Sequence, residues 1–161
     1  MNPIPRYAAL TTLIAIGVAS AGSTTTVEYP DGYRSWRHVK SMVIEPGHAL
    51  AGLVEGTHHI YANDKAMQGY RKRPFPQGAV LVFDLFETQR DGKALVEGAR
   101  KAVIVMRKDS ARFAATDGWG YEVFAAGDRK KPQVGDKAGE TCHSCHVSQR
   151  QRDFVFSDYR P

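Results

Sequence analysis

The chain has 161 residues, a formal net charge of +5 and 42% hydrophobic residues. That length suits one domain, since domains run to ~100–200 residues, and the apolar share excludes wholesale disorder. Two cysteines exclude a disulfide-dense scaffold and a four-thiolate zinc site. They leave one disulfide, one redox pair or one covalent attachment.

Residues 1–21 have the layout of a secretory signal peptide. Arg6 is their one charge, Tyr7–Val18 is apolar, and Ala19-Ser20-Ala21 has the small-x-small pattern of a cleavage site. The apolar run is shorter than the ~20 residues of a membrane span. Removing it leaves residues 22–161 as a single domain and takes one positive charge away. The expected location is the bacterial periplasm, with no membrane attachment after cleavage.

Residues 22–30 (GSTTTVEYP) read as a flexible lead-in, and Asp31-Gly32 as a turn. A helical turn is expected over 33–37 and a strand over 37–44. Pro46-Gly47 breaks the chain. Residues 57–62 (THHIYA) are strand-like, and Asn63 caps a helix from Asp64 to about Lys72. Two prolines make 73–78 a loop. Strands are expected over 79–87, 93–97 and 101–107, with Arg90-Asp91-Gly92 as a hairpin turn. Asp109 and Ser110 would cap a short helix through Ala114. Gly118–Ala126 (GWGYEVFAA) is a further strand. A charged linker over 127–139 leads to a short helix from Glu140. Strands joined by short turns, with a few helices, give an α+β fold with a mostly antiparallel sheet.

Cys142-His143-Ser144-Cys145-His146 is C-x-x-C-H, the attachment signature of c-type haem. Two thiols on one helical turn can form thioethers to the two vinyl groups of one porphyrin edge. The histidine after the second cysteine then lies under the iron. Cys142 and Cys145 are therefore the expected anchors of one covalent haem c, and His146 its iron ligand. His143 is a variable position. A thioredoxin-like site expects a βαβ setting that is missing here, a zinc site lacks a fourth ligand, and a bare disulfide has no need of His146. Small electron-transfer cytochromes place a methionine after the motif, but residues 147–161 contain none.

A β-rich chain ending in C-x-x-C-H resembles the cytochrome P460 family, which includes the β-type cytochromes c′. The matching pieces are Asp31–Trp36, His58–Asn63, Phe75–Val82, Glu97–Lys101, Met106–Phe113, Gly118–Phe124, Cys142–His146 and Asp153–Phe156. The resemblance implies an antiparallel sheet, a homodimer and one haem near the C-terminus. It also implies an open distal site for a small nitrogen compound. Hydroxylamine-oxidising members cross-link a lysine to the porphyrin and use a carboxylate as proton acceptor. The β-type members lack the cross-link, present phenylalanines and bind nitric oxide.

On this resemblance Lys72 is the cross-linking candidate, with Arg71 and Phe75 as alternatives at that place. Lys72 also reads as a solvated member of the basic run Arg71–Arg73. Glu97 is the candidate proton acceptor, or else a strand-end glutamate paired with Arg100 or Lys101. Phe75, Phe83 and Tyr70 are candidates for an apolar distal wall. Met42, Met67, Met106, His38, His48, His58 and His59 are candidate sixth ligands, which would make the protein a plain electron carrier. Trp36 and Trp119 read as core or dimer interface. The basic runs Arg71–Arg73 and Arg129–Lys131 are solvated faces or steer an acidic redox partner cytochrome. A nucleic-acid partner is not expected of an exported haem protein with mild charge.

Overall fold

A computed structural model describes residues 26–161, and the expected signal peptide lies outside them. Five strands form one antiparallel meander in the order of the chain. They are β1 (Arg37–Ile44), β2 (Gly56–Ala62), β3 (Val80–Asp91), β4 (Ala94–Lys108) and β5 (Trp119–Ala125). Two short helices, α1 (Ala51–Val54) and α2 (Asp64–Arg71), flank β2. The α+β expectation therefore holds.

Local chemistry explains most boundaries. Asn63 caps α2 as expected, its Oδ1 accepting the Ala66 N–H at 2.8 Å. The same oxygen takes the Val80 N–H at 3.0 Å, so one side chain starts α2 and fastens the beginning of β3. Gly69 in α2 lies against Phe75, where a β-carbon would come within 2.1 Å of the ring. Asp109 caps one turn only, its Oδ1 taking the Arg112 N–H at 3.2 Å. The short helix expected through Ala114 is a hydrogen-bonded turn over residues 110–112 followed by a 3-10 turn, Ala114–Thr116.

Three other expectations change. The strands read as 93–97 and 101–107 are one continuous β4, which pairs with β3 through register shifts near Phe86. Helix α1 had no expected counterpart. Residues 26–30 of the supposed flexible lead-in are anchored. Val27 is buried in a cluster with Val82, Val105 and Phe113, and Tyr29 packs edge-on against Phe124.

Alternation along the strands divides the core between two faces. Val80, Val82, Val103, Val105 and Phe124 face one side. Ala62, Leu81, Met106 and Tyr121 face the other, under α2 and the C-terminal residues Phe154 and Val155. Two buried carboxylates brace the sheet. Asp84 accepts from Tyr33 Oη (2.7 Å) and is paired with Arg34 (3.0 Å) and Arg100 (2.8 Å). Glu122 accepts the backbone N–H groups of Val123, Gln133, Val134 and Gly135. It thereby fixes the loop that leads into the C-x-x-C-H segment. Among the described residues, no helix is long and apolar enough to cross a membrane.

Candidate haem-binding site

The motif lies on a run of helical turns: a π-helical turn over Gly139–His143, α3 (Ser144–His146) and a 3-10 segment over Val147–Arg152. Cys142 and Cys145 are free thiols, the first half-buried and the second exposed. Their spacing places them on one side of the turn. Burial, with Glu122 and Cys145 nearby, pushes the Cys142 thiol up to about 11.

His146 is oriented by the chain that follows it. Its Nδ1 lies 2.7 Å from the Phe154 carbonyl oxygen. A carbonyl can only accept, so Nδ1 carries the proton and Nε2 keeps its lone pair. Nε2 has no hydrogen-bond partner among the described residues. The ring stands between Tyr121 and Phe156, with both centroids 5.0 Å away. Burial and the neighbouring His143 lower the pKa of His146, which favours the neutral, ligating imidazole. A second-sphere bond of this kind is what fixes a metal-binding histidine's tautomer and angle.

His143 is occupied differently. Its Nε2 is 2.9 Å from Asp117 Oδ2, and its Nδ1 accepts the Tyr121 hydroxyl at 3.2 Å. Both ring nitrogens are used, and the bonds tie the motif to β5.

Beside the motif the sheet offers an apolar shelf. Ile60, Phe83, Ile104 and Val123 are cross-strand partners in one rung running from β2 to β5. All four are only partly buried, whereas the adjacent rung of Ala62, Leu81, Met106 and Tyr121 is fully covered. Three inter-strand gaps make the shelf about 14 Å long. Val123 and Ile60 pack against the same cluster as Cys142. Two free thiols and one oriented imidazole with a free nitrogen, beside a partly open apolar surface, make a set that fits haem.

A family model described as Cytochrome P460 matches residues 30–157. The chain belongs to the cytochrome P460 family. It is thus a c-type cytochrome, and haem c binding follows from that membership. Comparison with curated proteins gives no match.

Against the other members' chemistry, the remaining candidate residues of this cytochrome P460 chain fall in different places. Phe75 is fully buried between Tyr70 and Trp119, in the cluster that Cys142 adjoins. Lys72 ends α2, is exposed, and makes no side-chain bond among the described residues. Glu97 is 46% exposed and bonded to His59 Nε2 at 2.7 Å. His59 Nδ1 is in turn 2.6 Å from Ser41 Oγ. Because His59 alternates with His58 and Ile60, this chain of bonds lies on the face opposite the shelf. The structure therefore does not bring Glu97 to the motif. Nor is it paired with Arg100, which binds Asp84. Met67 and Met106 are core, and Met42 is exposed. Trp119 is fully buried, and Trp36 packs at the edge of the second cluster.

The feature that sequence reasoning missed is the Phe154 carbonyl. A backbone group leaves no residue signal, although Phe154 and the motif histidine are close in sequence. His58 is one of the four histidines that the sequence offers as a sixth ligand. It is 1% exposed, and its Nδ1 has no partner. Burial, helped by the charges of His59 and Lys40, pushes its pKa down to about 4 from 6.5. The unfolded chain therefore takes up this proton first as the pH falls. The stability associated with neutral His58 is complete above pH 6.5 and is lost between pH 6.5 and 4. Its size is about 3 kcal/mol. Urea titrations at pH 7 and pH 4 should show wild type losing about that much more stability than His58→Gln. Parallel losses in the two proteins would refute the assignment.

Proposed function

We propose that the chain is an exported monohaem cytochrome that binds small nitrogen compounds, nitric oxide or hydroxylamine, at haem c held by Cys142, Cys145 and His146. The observation that carries this reading is the Phe154 carbonyl bond to His146 Nδ1, which leaves Nε2 free beside two free thiols. When bound, haem supplies a coordination position and a one-electron couple. The chain's own residues orient the imidazole and present the Phe83 shelf. The signal-peptide layout of residues 1–21 supports export to the periplasm, and the family resemblance supports a homodimer.

Binding is favoured over turnover by the position of Glu97. With that carboxylate on the opposite face and Lys72 exposed, the groups implied for hydroxylamine oxidation are not gathered at the shelf. The test uses the haem-loaded protein. Its ferrous form should bind nitric oxide with a shift of the Soret band. Hydroxylamine supplied with an electron-accepting dye should be consumed at no more than the rate of free haem. The tryptic peptide carrying Lys72 should have its unmodified mass. Rapid hydroxylamine consumption together with a haem-modified Lys72 peptide would instead establish the catalytic reading. A low-spin spectrum in both oxidation states, with no response to nitric oxide, would make the protein an electron carrier.

A further inference from the structure

His58 is set apart from the other described histidines by its bonding. His59 lies between Ser41 and Glu97, and His38 Nε2 is 2.9 Å from the same Ser41 hydroxyl. His48 Nδ1 accepts the Leu50 N–H, His143 uses both nitrogens, and His146 is held by Phe154. Only His58 combines full burial with a ring nitrogen that has no partner. Buried polar atoms in folded proteins are nearly always bonded, so an orphan calls for an explanation, of which a polar partner from outside the chain is one.

Its position says where. His58 lies two residues before Ile60 on β2, and so faces the same side of the sheet as the shelf. The imidazole stacks on Phe83, with centroids 4.0 Å apart and planes 18° from parallel. Phe83 is the partly open centre of the apolar rung. Lys40, the β1 partner of Ile60, lies at the end of that rung and is half-buried. An apolar surface with one convergent polar group is the usual make-up of a small-molecule site.

We propose that His58 is the hydrogen-bonding residue of the pocket, its imidazole N–H meeting a small polar ligand held over the Phe83 shelf. The proposal rests on the haem-binding reading above and adds to it the residue that would discriminate between ligands. A neutral imidazole offers one donor and one acceptor, so it suits a ligand atom with a lone pair, such as the oxygen of nitric oxide or hydroxylamine.

Carbon monoxide is the probe, bound to the ferrous holoprotein. His58→Leu should raise the C–O stretching frequency and speed carbon monoxide release about tenfold, the weight of one hydrogen bond. His58→Gln, which keeps an N–H donor, should fall between the two. Covalent haem content is measured in the same samples. Unchanged frequency and release rate in His58→Leu at full haem content would overturn the proposal and leave His58 a packing residue. If the leucine variant does not accumulate, the wild-type adduct decides alone. A shift of its C–O band in heavy water supports the bond, and no shift overturns it. Wild-type protein without covalent haem would overturn the haem reading itself, a distinct result.

Discussion

Asp153→Ala should destabilise the fold by about 3–5 kcal/mol, the cost of stranding a buried charge. Asp153 Oδ1 is 2.9 Å from Lys108 Nζ and 3.4 Å from Trp119 Nε1, and its Oδ2 accepts the Phe75 N–H at 2.8 Å. Lys108 is itself 7% exposed, reaches the Asp117 carbonyl at 3.2 Å and lies over the Trp119 ring. Alanine would leave that ammonium buried without its counter-charge. Asp153→Asn keeps the shape and one oxygen acceptor, and should cost less. Asp153→Ala combined with Lys108→Met should recover part of the loss, since neither charge then remains. Urea midpoints measure all three. A single alanine variant within 1 kcal/mol of wild type, by the same scale, would refute the ion-pair account. The effect should also reach the iron ligand. Asp153 and Phe154 both have positive φ, and this kink aims the Phe154 carbonyl at His146. Loosening it should broaden the Soret band of the haem-loaded variant.

How much of this was legible in the sequence depended on how local each determinant is. β1 and β2 follow from the strand-like stretches RHVKSMVI and THHIYA, β3 from a β-rich segment with a continuous apolar run over Ala79–Phe83, and Asn63 from its position before a polar-apolar helical run. The sequence reads β4 as two strands, 93–97 and 101–107, with Gly98 between them. In the fold Gly98 stays in the strand, where a β-carbon would meet the Gln89 side chain at 2.7 Å. Val27 was assigned to a lead-in by composition. Its burial depends on Gly120, where a β-carbon would lie 2.4 Å from Phe113 and 2.7 Å from Val27. Such close approaches are tertiary facts that no window of sequence contains. The motif is defined by five consecutive positions, whereas the face that Glu97 takes depends on the register of a hairpin with bulges. His58 and His59, successive residues of β2, face opposite sides, but only the packing shows which side bears the shelf.

Removing both motif thiols should have the largest effect on function. Cys142→Ala with Cys145→Ala should abolish haem that survives denaturation, read by haem staining of a denaturing gel and by intact mass. Each single variant should retain one covalent bond at reduced yield, with an absorption shift from the vinyl group left unsaturated. The substitutions themselves are mild for the fold. Cys145 is exposed, Cys142 is only partly buried, and neither side chain makes a hydrogen bond among the described residues. Loss of haem would therefore report attachment rather than unfolding. His146→Ala separates attachment from ligation. It keeps both thiols, so haem should remain on the denaturing gel, while the spectrum loses its imidazole signature and added imidazole restores it. If the double cysteine variant kept covalent haem, the bond would have to lie elsewhere. Lys72, exposed at the end of α2, would be the first residue to examine by peptide mass. That result would also reverse the preference for ligand binding over turnover, because a porphyrin-linked lysine is the feature that the family resemblance ties to hydroxylamine oxidation.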